Sequence, residues 1–241
     1  MAFLQDIMEI LFRPGNLLPT IEDMLRRGFP NVGEKIAKVS EIFLGVPYME
    51  KTLPDWNSHE VLVANFEGMD CMTFLEYVEA LRHSSNFEEF FEWLKKVRYK
   101  EGKITFKDRK HFFTDWIYYN TGLDEVTGSL KKGGFKRIVK ILNESENGSR
   151  IIPGLEREER EILYIPKEMI DKEVTEKLFL GDYVGFFTHK AGLDCSHVGI
   201  IVKKGPKTYL RHASKVKGCV LDEDFLDYVE KKEGIIVLRP R

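Results

Sequence analysis

Cysteine is scarce in this chain: Cys71, Cys195 and Cys219 are the only three in 241 residues, an odd number at wide spacing. That excludes a disulfide-stapled scaffold and paired zinc knuckles, and it leaves at least one free thiol whose chemistry needs an explanation. Neither HExxH nor CxxC occurs, so no metal and no other cofactor is expected. Charge of neither sign predominates. Lys and Arg total 37 against 39 Asp and Glu, a net charge of -2, which gives no bulk attraction to nucleic acid or to an anionic membrane. No apolar run approaches the roughly 18–20 residues that cross a bilayer, so no membrane span is expected. With 43% hydrophobic and 32% charged residues, the composition is that of a globular protein.

The amino terminus also lacks a basic head, and Asp6 and Glu9 interrupt its apolar stretch, so it does not read as a secretory signal. A signal removed beforehand would leave the same sequence, so the compartment stays open between periplasmic or extracellular and cytoplasmic. Oligomeric state is equally open.

What is present is helical periodicity first and strand periodicity last. Phe3, Ile7, Ile10 and Leu11 fall on one helical face, and Ile21, Met24 and Leu25 form a second stripe beyond Pro14, Gly15 and Pro19. Glu34 to Leu44 reads as a third helix ended by Gly45 and Pro47, so residues 1–44 are expected to be a helical cap. Phe74, Tyr77, Val78 and Leu81 predict a helix over 70–81 with Asp70 as its N-cap, and Asn86 to Val97 predicts another. The stretch 99–180 mixes aromatics with charges and is expected to be an insertion shaping a cleft. After Leu180, DYVGFF, HVGIIV, TYLRHAS, GCVLD and GIIVLRP alternate and are β-branched, predicting an antiparallel sheet with a hairpin at KKGPK. The expected fold class is α+β, in one domain spanning 1–241.

Cys71 stands one residue past the predicted N-cap. Unpaired backbone N–H groups and the helix dipole favour negative charge there, so a lowered thiol pKa and nucleophilic character are expected; a small buried residue at a helix start is the plainer alternative. His197 and His212 lie on the two strands of the predicted hairpin. A turn centred between Lys204 and Gly205 places them opposite one another, and a turn centred on Gly205 offsets them by one residue. A helix-borne thiol, a strand-borne histidine and a third polar group form the nucleophile, base and orienter of papain-like chemistry. Arg109, His111, Asp115 and Trp116, with Phe112 and Phe113 between them, could pair with a carboxylate and stack on a sugar, or could belong to the core. Tyr48 is a candidate for a pocket rim.

Five ordered strings carry a resemblance: LGVPYMEKTL (44–53), FEGMDCMTFLEYVEAL (66–81), RKHFFTDWIYYN (109–120), LFLGDYVGFFTHKAGLDCSHVGIIV (178–202) and LRHASKVKGCVLDEDFLDYV (210–229). They resemble successive motifs of the N-acetylmuramoyl-L-alanine amidase-like family, among the NlpC-type papain-like cysteine cell-wall hydrolases. The resemblance implies a papain-like domain whose nucleophile helix packs on an antiparallel sheet. It implies Cys71 as nucleophile, His197 as general base and His212 as orienting residue; Tyr48, Asp70, Arg109, His111, Asp115 and Trp116, which lie within these strings, are the candidates for the substrate side. It further implies hydrolysis of an amide in peptidoglycan or muropeptides, first of all the MurNAc–L-Ala bond. A stem-peptide endopeptidase cutting between D-Glu and the diamino acid, or an idle wall-fragment binding module, would use the same fold. Cys195 precedes a strand and is read as structural or as a pocket wall; Cys219 is read as strand packing.

Overall fold

The computed structural model describes residues 9–119 and 122–241. Its strands are β1 (Ile10–Arg13), β2 (Leu62–Asn65), β3 (Leu123–Glu125), β4 (Lys136–Leu142), β5 (Glu158–Pro166), β6 (Tyr183–Phe187), β7 (Cys195–Lys204), β8 (Lys207–Ser214), β9 (Cys219–Asp224) and β10 (Gly234–Pro240). The helices are α1 (Leu18–Leu25), α2 (Val32–Glu41), α3 (Cys71–Arg82), α4 (Phe87–Arg98), α5 (Asp115–Tyr119), α6 (Thr127–Leu130), α7 (Lys172–Lys177) and α8 (Phe225–Val229). An antiparallel sheet runs in the order β4-β5-β10-β6-β7-β8-β9, with β3 also on β10. A separate parallel pair joins β1 to β2. The result is a mixed α/β fold built on an antiparallel sheet.

The sheet is covered on both faces because its strands are apolar on both. On β6, Tyr183 and Phe187 enter the core that holds α1 to α4, whereas Val184 and Phe186 enter a second core under α6, α7 and α8. Alternation along a strand imposes this division, since successive side chains point to opposite faces. Caps define the helix starts: Asn31, Asn86 and Asp70 each accept a backbone N–H from the third residue of the following helix.

Near the amino terminus the structure departs from the expected helix. Phe3 and Ile7 lie outside the described residues, and Ile10 and Leu11 belong to β1. Period 2 prevails over the helical reading there: Ile10 and Phe12 are half-buried while Leu11 and Arg13 are exposed. Phe12 meets the rings of Phe66, Phe87 and Phe91 at 5.1–5.5 Å. In the 99–180 stretch, β4 and β5 pair over seven residues and extend the main sheet through β10. Their sequences, KRIVKIL and EEREILYIP, bury the charged Lys140 and Arg160 and leave Val139 and Ile141 exposed, which hides the strand pattern.

α3 is buried at ten of its twelve residues, charged ones included. Arg98 of α4 donates to Glu76 of α3 (Nε–Oε2 2.8 Å) and to the carbonyl of Val63 on β2 (2.6 Å). Glu79 accepts from Arg82 (2.6 and 2.7 Å) and from the Tyr183 hydroxyl on β6 (2.6 Å). Removing one member of a buried pair leaves the other charge uncompensated. Arg98→Met is therefore expected to cost about 3–5 kcal/mol, read as a lower midpoint in denaturant unfolding; a loss below about 1 kcal/mol, the range of exposed pairs, would contradict this account.

Candidate active site

Cys71 is the first residue of α3. Asp70 accepts from the Thr73 N–H (2.8 Å) while the Thr73 hydroxyl accepts from the Asp70 N–H (3.0 Å), a reciprocal cap that fixes the chain entering the helix. Asp70 thus serves the backbone through its Oδ1. The 45–48 segment is laid beside it: Gly45 N–H donates to Val220 (2.8 Å) and Tyr48 N–H to Gly218 (2.8 Å), and Tyr48 bridges to Met69. Tyr48 therefore stands next to Asp70 and Cys71. Burial, then the charges of Cys71 and Asp70, push its hydroxyl up to about 12.

The two histidines meet through a register that neither sequence alternative describes. Lys204 pairs with Lys207, so the turn is the Gly205-Pro206 dipeptide, and Ile200 pairs with Arg211. Pro206 has a fixed φ and no N–H, which suits the second turn position, and Gly205 takes φ +59° at the first. His197 and His212 are consequently offset by two positions, diagonal neighbours on one face. Gly199 falls opposite His212 and opens the path between them, since a Cβ there would lie 3.1 Å from the His212 Cβ and 2.6 Å from Leu210 Cδ1. A bulge in β7 after the Phe186–His197 pair further sets the angle of His197.

His197 Nε2 is 2.7 Å from His212 Nδ1, and His212 Nε2 is 2.8 Å from Glu223 Oε2 on β9. The partners assign the protons. The Glu223 carboxylate accepts, so His212 carries its proton on Nε2; its Nδ1 then accepts from His197 Nε2–H, and the lone pair of neutral His197 is left on Nδ1. No local pattern singles out Glu223 in the sequence; pairing of β9 with β8, His212 against Leu221, brings it within reach. Phe186 stacks on His197 at 6.2 Å, and the Tyr228 ring lies 4.8 Å from His212 and 5.8 Å from His197.

This enclosure decides the protonation states. Burial, then the charges of His212 and Lys232, bring His197 down to about 3. Burial also lowers His212, opposed by its bond to Glu223. The Cys71 thiol departs from expectation: burial, then the Asp70 charge, push it up to about 12, against the N–H groups of Val198, Cys71 and Met72, which act the other way. The helix start does favour the thiolate, but exclusion of water outweighs it. The resting pair is a neutral thiol and a neutral imidazole. Val198 directly follows His197, so its N–H sets the thiol beside that residue, although no hydrogen bond joins Cys71 to His197 among the described residues.

The 109–116 segment is turned inward. Arg109 is buried against both oxygens of Glu60 and donates to the Pro54 carbonyl (2.7 Å). Asp115 is ion-paired with Arg160 (2.9 Å) and accepts from the Phe112 N–H (3.0 Å). Trp116 is fully buried against Tyr183, and His111 Nε2 bonds to the Phe106 carbonyl (2.7 Å). These groups brace the fold, and Arg109, His111 and Asp115 also line a cavity of about 260 Å³ that includes none of Cys71, His197 and His212. The Cys195 sulfur packs on the bare α-carbon of Gly185, where a Cβ would lie 2.6 Å from it, and burial raises its pKa well above the ordinary thiol value. Among the described residues, no group of three or more His, Cys, Asp or Glu is placed to hold a metal ion, and no helix is long and apolar enough to cross a membrane.

The model of the N-acetylmuramoyl-L-alanine amidase-like family matches residues 38–235. The chain belongs to that family. All of Tyr48, Cys71, His197, His212 and Glu223 fall inside the matched span of this amidase-like hydrolase. An N-acetylmuramoyl-L-alanine amidase from Bacteroides uniformis is 26% identical, with 87% of this chain and 99% of that chain covered and a TM-score of 0.71. A Legionella pneumophila protein described under family model DUF1460 is 22% identical over 92% of this chain and 93% of its own, at TM-score 0.78. A Bacteroides fragilis protein described as a putative xylanase is 24% identical over 83% and 99%, at TM-score 0.66. The last two likenesses speak for the fold. No protein of curated function matches the chain.

His197 should stay neutral well below the ordinary histidine pKa, and His212 is shifted in the same direction. An unfolded chain protonates them near 6.5 and the folded chain does not, so unfolding takes up protons in the interval and stability falls as pH drops below about 6.5. Ring nitrogen NMR shifts of His197 are expected to be unchanged from about pH 8 to pH 5; a titration midpoint near 6.5 would overturn the neutral resting pair.

Proposed function

We propose that this amidase-like protein is a cysteine-dependent amide hydrolase with an NlpC-type, papain-like site, acting on peptidoglycan or its turnover fragments and cutting the MurNAc–L-Ala amide. One observation carries the reading: an unbroken hydrogen-bond chain runs from Glu223 through His212 to His197, and the next residue, Val198, offers its backbone N–H to the Cys71 thiol at a helix amino terminus. The name of the Bacteroides uniformis relative supports the choice of bond. In this reading the described residues form one hydrolase domain, with 9–44 as a cap and 99–119 and 122–180 bordering the cleft.

In this reading His197 Nδ1 takes the Cys71 proton as the sulfur attacks the lactyl carbonyl of the MurNAc unit. The Cys71 backbone N–H, at the positive end of α3, holds the oxyanion. The C–N bond breaks as His197 gives its proton to the departing L-Ala amine, which leaves a thioester. Water loses a proton to His197 and attacks that thioester; the C–S bond breaks, the free acid forms, and the sulfur regains its proton. Because thiol and imidazole start neutral, proton transfer accompanies attack instead of preceding it. Tyr48 borders the thiol and is placed to meet the substrate near the scissile bond.

Two experiments test this. Mass spectrometry of defined muropeptides should show sugar released from intact L-Ala-linked peptide by the native chain and none by Cys71→Ala. Release of L-Ala-D-Glu would instead assign the stem-peptide endopeptidase, and cleavage by Cys71→Ala would overturn the cysteine mechanism. Glu223 is a positioning residue, so Glu223→Ala should lower kcat on the order of 10-fold with little change in KM, while Glu223→Gln, which keeps an acceptor for His212 Nε2–H, should restore much of the loss. Equal damage from both variants would assign Glu223 a packing role.

A further inference from the structure

Half-buried lysines in this protein generally find oxygen acceptors. Lys35 donates to the Ser84 carbonyl, Lys140 to the carbonyls of Thr188 and Lys190, and Lys203 to Thr175 and Thr208. Lys100 instead rests over the Tyr119 ring at 4.4 Å, and Lys232, just beyond α8, is held in a similar way. Its ammonium lies 4.7 Å from the Tyr228 ring centroid and 5.7 Å from that of Phe186, and among the described residues its three N–H donors have no oxygen acceptor and no ion-pair partner. The same two rings pack against His197 and His212, so the ammonium is held over the aromatic wall of the candidate site. Its field reaches the site: the Lys232 charge helps to keep His197 and His212 neutral, and the Cys71 sulfur in turn acts on Lys232. Glu223 also lies in that field, but its Oε2 is engaged by His212.

A cation held on π-faces keeps its charge and its donors available on the other side. We propose that Lys232 is an anion subsite beside Cys71, which receives a carboxylate that the substrate carries near its scissile amide. The ligand class is then an acidic acyl-peptide, and a neutral peptide amide of the same shape binds less well. The inference rests on Cys71 as the reacting thiol, and it deepens the hydrolase reading by naming what the cleft recognises. An orphaned ammonium is costly to keep half out of water, and an incoming carboxylate offsets that cost.

The probe pair is iodoacetate and iodoacetamide, near-isosteric reagents of which only the first is anionic. In each, the Cys71 sulfur forms a C–S bond as the C–I bond breaks, iodide departs, and the thiol proton passes to His197 or solvent. Rates at Cys71, resolved from Cys195 and Cys219 by peptide mass mapping and scaled to free cysteine at the same pH, give an iodoacetate-to-iodoacetamide ratio. The ratio in the native chain should exceed that of Lys232→Met by roughly five-fold or more, with Lys232→Arg retaining most of it. Equal ratios in the native chain and Lys232→Met would overturn the subsite, and so would a Cys71 that neither reagent modifies. Muropeptide turnover is a separate readout: a chain that cuts no muropeptide but keeps the ratio counts against the hydrolase and leaves the anion subsite standing.

Discussion

The burial of α3 is the constraint on which the rest of this structure depends. A helix enclosed along nearly its whole length carries Glu76, Glu79 and Arg82 into the interior, and each must find a partner there. Arg98 supplies one from α4, Tyr183 another from β6, and Arg82 and Glu79 answer each other. Those bonds join α3 to its neighbouring helix and to the sheet, so the helix cannot shift without uncovering charge. Its amino terminus is thereby immobilised against β7, which is where Cys71 stands.

The same enclosure governs the chemistry available to the site. A helix start alone would favour a thiolate, and an exposed His197 would titrate near 6.5. Packing Phe186 and Tyr228 over the imidazoles and seating the thiol under the 45–48 segment removes the water that would stabilise either ion. What remains is a neutral relay whose direction is set at its far end by the Glu223 carboxylate. A cation, Lys232, rests on the aromatic wall of this relay, so the neutral pair lies in a positive field without carrying a charge itself.

Much of this was legible before any coordinates. The 70–81 helix with its Asp70 cap and the antiparallel strands after Leu180 rest on local patterns, which local physics largely dictates. The amino-terminal strand was not, because four residues of alternation in a short apolar segment fit a helical face equally well until Phe66, Phe87 and Phe91 decide the matter. The β4–β5 hairpin was obscured because it buries Lys140 and Arg160 and leaves Val139 and Ile141 exposed. Arg109, Asp115 and Trp116 look like recognition chemistry in sequence because nothing local reveals Glu60, Arg160 and Tyr183, their partners from distant parts of the chain.

The sequence by itself determined which residues bear reactive groups and which local elements carry them: a cysteine opening a capped helix, and two histidines on consecutive strands. Periodicity and capping act over three or four residues, so they are readable in order along the chain. Tertiary structure alone decided the two-residue offset of the histidines, the recruitment of Glu223, the placing of Lys232 over the rings, and the rise of the Cys71 pKa. Each of these depends on how much water and which charges surround a group, and that is set by segments far apart in sequence that fold onto one another.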